Sequence, residues 1–314
     1  MARNETNEML MQWHSEFARN IIGNIIALSV YMICGLIGNS IVIFVYRYQF
    51  KDVSDERYFI PVLAVADLVA CIVCPVLDIV FLAMHLNYEN SLGCKIALFF
   101  ITTTAFTSVF VLMCIAVQRY LKICKNISIS LYCRRTMVVL SFLLAFSMAV
   151  PLAMTYDHIE FASEGTIVGK RCGKIKYDSD IDGAAYGIVY LSVNFLILVS
   201  FIFLYGRIGC TIYGHLKRNN RVKNKFTLMF MIITLVFAVS VIPVGIILTL
   251  EGIMHDFWDN LSRNQLIVVL WLYHTYLINN FINPIIYAFL DPEFWKATKT
   301  LFKCVCKVNR TQEP

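Results

Sequence analysis

Seven apolar stretches, each long enough to cross a hydrocarbon layer, constrain this chain more than any other feature. They run near residues 21–46, 58–84, 93–121, 136–156, 183–209, 226–251 and 265–290. A helix needs about 20 apolar residues to cover the core of a bilayer. Backbone N–H and C=O groups find no partners in lipid, so runs of this length must be helical. Composition agrees: 59% of the 314 residues are hydrophobic and 15% are charged, where a soluble chain carries about 25% charged residues. The expected fold is an all-α membrane protein, a seven-transmembrane helix bundle.

Orientation follows from the Lys and Arg distribution. The segments 47–57, 119–135, 207–225 and 291–314 hold 19 of the 27 basic residues. These are expected on the cytoplasmic side, which puts the amino terminus outside and the carboxyl terminus in the cytosol. The net charge of +6 does not point to nucleic acid, because the charges lie in short strips between apolar runs. Residues 1–20 read as a polar extracellular segment, 21–290 as the transmembrane domain, and 291–314 as an amphipathic helix with a short cytoplasmic tail. No cleavable leader is read at the amino terminus, so the first span is expected to act as an uncleaved anchor. The Asn-x-Ser/Thr patterns at Asn4 and Asn260 fall outside and are glycosylation acceptors. Those at Asn126 and Asn309 fall on the cytoplasmic side.

Compartment also sorts the eleven cysteines. Nine lie in spans or on the cytoplasmic side, where thiols stay reduced. Cys94, opening the third span, and Cys172, in the largest outer loop, face the oxidising side, and one disulfide between them is expected. The pair Cys71 and Cys74 has the spacing of a metal or redox motif but sits in an apolar helix, where small-residue packing is the better reading. No metal site is expected.

Short motifs then appear in order at fixed depths. Span one carries GLIGNSIVIF with Asn39, span two LAVADLVA with Asp67, and span three ends CIAVQRYLKIC with Gln118, Arg119 and Tyr120. Span seven carries NPIIY, with Asn283, Pro284 and Tyr287. Cys94 and Arg119 are 25 residues apart, roughly 37 Å along a helix, so they sit at opposite rims. Across residues 21–306 the chain resembles a rhodopsin-like (class A) G-protein-coupled receptor.

The resemblance implies a cell-surface receptor that takes an extracellular ligand and activates a heterotrimeric G protein at the plasma membrane. It implies coupling and switching roles for Gln118, Arg119, Tyr120, Tyr205, Asn283, Pro284 and Tyr287. It implies a polar core of Asn39, Asp67, Ser108, Asn279 and Asn283, the last four resembling the family's sodium pocket. Either that patch holds a sodium ion or it is a hydrogen-bonded packing cluster; no other cofactor is expected. Pro284 removes a backbone donor and is expected to kink span seven. Gln118 stands where the family has an aspartate, and Lys223 supplies no acid either. This predicts a loosely held Arg119 and raised basal signalling, unless other polar groups restrain the arginine. After Tyr287, Phe294, Leu301, Phe302 and Val305 share one helical face while Lys296, Lys299, Lys303 and Lys307 line another. That pattern fits a short amphipathic eighth helix lying on membrane lipids, followed by palmitoylation candidates Cys304 and Cys306.

The chain departs from the family in three places. Val241 holds the usual tryptophan position of span six, Ile197 the usual proline of span five, and span four has no tryptophan. These losses bear on how a pocket drives span six, so a non-signalling decoy or scavenging receptor stays open. Span seven has no lysine for a retinal Schiff base. Ile101 occupies the aspartate position used by amine receptors. A peptide is the leading ligand class. The loop around Cys172 alternates as a β-hairpin lid would, and Asp78, Glu251, Tyr273 and His274 are expected at an acidic, aromatic mouth beside Ile101. A small-molecule or lipid receptor and a membrane transporter are the remaining alternatives. No duplicated halves of the transporter kind are visible, and the six scattered histidines supply no catalytic constellation, so the chain is not read as an enzyme.

Overall fold

A computed structural model describes residues 2–50, 55–84, 88–163, 166–175, 180–217, 225–254, 257–258 and 260–310; side chains at 2–17, 20, 56, 161–163, 166–168, 180–187, 190, 215–217, 225–227, 230, 263 and 304–310 are not described. Seven helical segments are long and apolar enough to cross a membrane and overlap the seven expected spans, the fifth with the largest offset, at Leu191–Gly214 against 183–209. Helix α1 runs Ala2–Tyr48, α2 Phe59–Ala83, α3 Ser91–Cys124 and α4 Leu131–Met154. A hairpin of β1 (Tyr156–Ser163) and β2 (Thr166–Lys174) precedes α5 (Asp180–Lys217) and α6 (Lys225–Ile253). The seventh span consists of α7 (Arg263–Tyr273), a 3-10 turn at His274–Leu277 and α8 (Ile278–Leu290), and α9 (Pro292–Arg310) follows.

The outward faces carry the membrane signal. On α1, Ile22, Ile26, Val30, Ile33 and Ile37 are exposed at intervals of three or four residues, an apolar stripe with nothing to bury it but lipid. Polar side chains turn inward instead: Asn39, Asp67, Ser108, Asn279, Asn280 and Asn283 are all buried. Two apolar clusters flank that polar layer. One joins Leu28, Cys74, Leu98 and Leu152 towards the hairpin end. The other joins Leu63, Leu112, Ile115, Met229, Ile233 and Tyr287 towards the α9 end.

Local sequence sets the element limits. Asn90 caps α3 by accepting from the Gly93 backbone N–H at 2.9 Å, and Ser130 caps α4 by accepting from Cys133 N–H at 3.2 Å. Glycines in α1 let two neighbours close in. A Cβ on Gly35 would overlap Sγ of Cys71, and one on Gly38 would stand 3.0 Å from the Pro284 ring. The Cys71–Cys74 pair is therefore a packing feature of α2, as the sequence indicates.

Residues 2–20 continue α1 as helix. They include Glu, Met, Leu, Gln and Ala, all strong helix formers, with no Pro or Gly before Gly23.

Candidate functional site

The polar centre begins with Pro284. Lacking an N–H, it leaves the Asn280 carbonyl, one turn earlier, without its helix donor. Asn39 Nδ2 donates to that carbonyl at 2.9 Å and to Gly35 O at 3.1 Å. A buried amide on α1 thus repairs the break in α8, which an apolar residue could not do. Pro284 lies inside α8, and span seven changes to a 3-10 turn at His274–Leu277, about two turns earlier. There Thr275 Oγ1 donates to Ser240 O of α6 at 2.8 Å and to Leu272 O at 2.7 Å, so the tightened turn is tied to the neighbouring helix.

Asp67 accepts from Ser108 Oγ at 2.8 Å and from Asn283 Nδ2 at 2.7 Å. Asn279, grouped with them on sequence, makes no hydrogen bond to Asp67; its buried side-chain oxygen has no partner and it lines a large cavity. The difference is one of angle. Positions four residues apart on a helix point the same way only approximately, and Asn283 takes the place nearer the carboxylate.

Two adjoining cavities open towards the hairpin end, sharing Leu98, Tyr156 and Tyr273 as common walls. The upper one, about 750 Å³, brings Asp78, Glu251, Tyr273 and His274 together as expected. It is not simply acidic. Arg171, carried in on β2, lines the same cavity and stands 5.9 Å from the Trp258 ring. Both acids already accept hydrogen bonds. Tyr276 donates to Asp78 at 2.9 Å; Tyr156 and Trp258 donate to Glu251 at 2.7 and 3.0 Å. Nearby, burial pulls the Lys174 ammonium below its usual range, and the charge of Glu251 acts the other way. The lower cavity, about 760 Å³, includes Ile101, Val109, Phe237, Val241, Asn279 and Asn280. Tyr156, Trp258 and Arg171 escape a sequence reading because only the folded hairpin and the outer turn bring them inward.

The lid itself is as the alternating pattern predicts. Strands β1 and β2 pair antiparallel, with His158 opposite Cys172 and a bulge at Phe161/Ala162. The Cys94–Cys172 disulfide ties the hairpin to α3. Lys95 pairs with Asp157 at 3.1 Å, and Tyr88 N–H donates to Lys170 O at 3.0 Å. Donation from Ser91, from the His158 backbone and from Lys95 holds the Asp157 carboxyl well below the usual range.

At the α9 end, Arg119 is 3% exposed and borders a cleft of about 290 Å³ with Gln118, Lys122 and Ser128. Gln118 is not idle. Its Nε2 donates to the backbone oxygen of Asp55 at 2.6 Å, while Arg134 Nη2 pairs with the Asp55 carboxylate at 2.6 Å. The segment after α1 thus brings an acid to the side of the Gln-Arg-Tyr motif, a placement no local motif signals. Tyr205 and Tyr287 are buried in the adjoining apolar cluster, Tyr120 is half-buried, and the Tyr287 hydroxyl has no hydrogen-bond partner. Lys223 lies outside the described residues.

Helix α9 is anchored at its first turn. Asp291 accepts from the backbone N–H of Glu293 and Phe294 at 3.0 and 3.2 Å. Its other partner is Arg57, whose Nη2 lies 3.1 Å from both carboxylate oxygens and 2.9 Å from Glu293. Phe294 is buried against Tyr46 and Tyr287, whereas Trp295, Phe302, Lys296, Lys299 and Lys303 are exposed. The Asp-Pro pair at 291–292 carried this start signal in the sequence. Asn260 lies exposed in a turn; the side chains of Asn4, Cys304 and Cys306 are outside the described set.

Residues 38–287 match the family described as 7 transmembrane receptor (rhodopsin family). The chain is 28% identical over 299 residues to apelin receptor B of Danio rerio, covering 88% of this chain and 80% of that one. It is 25% identical over 297 residues to a QRFP-like peptide receptor of Branchiostoma floridae, covering 90% and 77%. It is 24% identical over 296 residues to the substance-K receptor of Bos taurus, covering 90% and 76%.

Proposed function

The chain belongs to the rhodopsin family of seven-transmembrane receptors, which are receptors rather than enzymes, and on that premise we propose that it binds an extracellular peptide and activates a heterotrimeric G protein. The observation that carries the reading is one bundle with a large two-storey cavity at the hairpin end and a buried arginine at the other. The Lys and Arg distribution supports placing the cavity outside and α9 in the cytosol. The cavity's two storeys adjoin through Leu98, Tyr156 and Tyr273 beneath the hairpin, and a relative is named as a peptide receptor. Transfected cells exposed to an acid-extracted peptide fraction should show dose-dependent G-protein activation that protease treatment of the fraction removes. Activation surviving the protease would contradict the peptide ligand and point to a small molecule or lipid.

Coupling runs through Arg119 at the cytoplasmic cleft. Gln118 supplies no charge to it and spends its amide on Asp55, which supports raised basal output. Helix α9 lies on the inner leaflet, its lysines towards anionic headgroups, with Cys304 and Cys306 as acylation sites and Asn4 and Asn260 glycosylated on the other face.

A sodium ion is the occupant proposed for the polar centre, held by Asp67, Ser108, Asn279 and Asn283. Ser108 and Asn283 meet the Asp67 carboxylate, and the side-chain oxygens of Asn279 and Asn283 lack a donor, which supports oxygen ligation of a small hard cation. The ion would balance the charge of Asp67. The thermal midpoint of the purified receptor should rise when sodium replaces an organic cation at constant ionic strength, by about 1.4 kcal/mol of stabilisation at a tenfold excess over Kd. Asp67→Asn should remove the difference; a sodium effect of equal size in Asp67→Asn would rule this site out.

A further inference from the structure

Helix α3 ends so as to return a hydroxyl to the cytoplasmic cleft. Asn126 has a φ of 55°, the left-handed conformation that asparagine tolerates and that stops a helix. Ile127 N–H donates back to Leu121 O at 3.0 Å, the oxygen that Lys125 N–H also meets at 3.2 Å. The chain thus folds over its own last turn and brings Ser128 against it, where Lys122 Nζ donates to Ser128 Oγ at 3.2 Å. Ser128 is exposed, and it lines the cleft with Asp55, Gln118, Arg119 and Lys122.

Two requirements of a protein kinase meet at this serine. The acceptor must lie in an irregular segment that can be drawn out, and residues 126–130 form neither helix nor strand. Recognition needs charge at a fixed offset, and Lys125 stands three residues before Ser128, where a kinase with an acidic groove reads a base. The cleft then favours the product. Arg119 and Lys122 border it, and among the described residues lining it the one acid, Asp55, already meets Arg134 at 2.6 Å. A phosphoserine brings nearly two negative charges and three acceptor oxygens, which a guanidinium can meet with two parallel bonds. Gln118 offers Arg119 no such charge.

We propose that Ser128 is a phosphorylation site for a basophilic protein kinase, and that Lys122 and Arg119 hold the phosphate as the acid which the Gln-Arg-Tyr motif lacks. In the transfer a bond forms between Ser128 Oγ and the γ-phosphorus of ATP. The bond from that phosphorus to ADP breaks, and the hydroxyl proton passes to the kinase's base. The phosphate and a G protein then compete for one guanidinium, so the modified receptor is the quiet form. The proposal rests on the reading of Arg119 as the coupling residue and of this loop as cytoplasmic.

The full-length receptor in maltoside micelles is incubated with ATP and the catalytic domain of a calmodulin-dependent protein kinase, and phosphopeptides are mapped by mass spectrometry. The phosphate should lie on Ser128, and Lys125→Ala should cut its yield several-fold. Phosphorus NMR then reads the second ionisation of the phosphate, which lies at about pH 6 when exposed and should fall below about 5 beside two cations. Lys122→Ala and Arg119→Gln should each bring it back towards the exposed value. With G proteins reconstituted, phosphorylation should lower basal nucleotide exchange about tenfold, the effect of one charge-assisted bond added to the resting state. Ser128→Ala should abolish that sensitivity. No phosphate on Ser128, phosphate on Ser130 instead, or an ionisation at the exposed value would each overturn the site. Exchange unchanged by a phosphate held in this way would overturn its role as the missing acid. A receptor that drives no exchange before treatment would overturn the coupling reading alone, since the phosphorus titration does not depend on it. A glycan released by endoglycosidase from Asn126, whose Asn-x-Ser pattern ends on Ser128, would put the loop outside and overturn the proposal.

Discussion

Asp291→Ala should lower the stability of the receptor by about 3 kcal/mol, the low end of the range for removing one partner from a buried ion pair, and release the first turn of α9. Two losses coincide at this residue. Asp291 is 2% exposed and is one of two acids that meet Arg57, which the fold also buries. It also accepts from two backbone N–H groups at the start of α9, a cap generally worth about 1 kcal/mol. Arg57 keeps some support in the mutant, from Glu293 at 2.9 Å and from the Phe50 ring at 4.8 Å, which is why the low end applies. Glu293 is the internal control. Its side chain is 72% exposed, so Glu293→Ala should cost less than about 1 kcal/mol. Thermal unfolding of the purified variants measures both, and amide exchange in residues 292–298 reports whether the turn has opened. Equal shifts for the two alanines would mean that Asp291 is neither cap nor buried partner.

Much of this fold was legible because lipid removes alternatives. A run of apolar residues in water can be a strand, a helix or a core segment; in a bilayer only the helix satisfies its own backbone. All seven spans therefore came out in place, the fifth with its apolar limits least well set, and alternation around Cys172 pointed to the hairpin. The meeting of Asp67 with Ser108 and Asn283 followed from the resemblance of their motifs to the family's, and the gathering of Asp78, Glu251, Tyr273 and His274 from their places near the outer ends of spans.

What could not be read were meetings between residues far apart in sequence with no periodic signal. Asp55 lies 63 residues from Gln118 and 79 from Arg134, and Arg57 lies 234 from Asp291. Each pair forms because two helix ends happen to adjoin at the same rim. The inward turn of Arg171 depends on which face of β2 meets the bundle, and the 3-10 turn at His274–Leu277 depends on Thr275 finding a carbonyl of α6. Pro284 frees the Asn280 carbonyl, and the meeting of that carbonyl with Asn39, 241 residues away, was not legible either.

Arg119 carries the central claim. It lies almost wholly buried at the end of α3 that Cys94 does not occupy, at the edge of a cleft open to a partner. A guanidinium there presents a fixed fork of donors to carbonyls or carboxylates, and no other residue of the motif supplies that group. Arg119→Ala should therefore remove coupling altogether, not weaken it, while ligand binding some 30 Å away along the helix persists. The decisive measurement is basal G-protein activation, read with a panel of subunit biosensors in cells expressing wild type or Arg119→Ala at matched surface levels. The account predicts wild-type output above mock-transfected cells and Arg119→Ala output equal to them. Wild-type output no higher than mock would contradict raised basal signalling, and silence maintained with a bound peptide would make the protein a decoy.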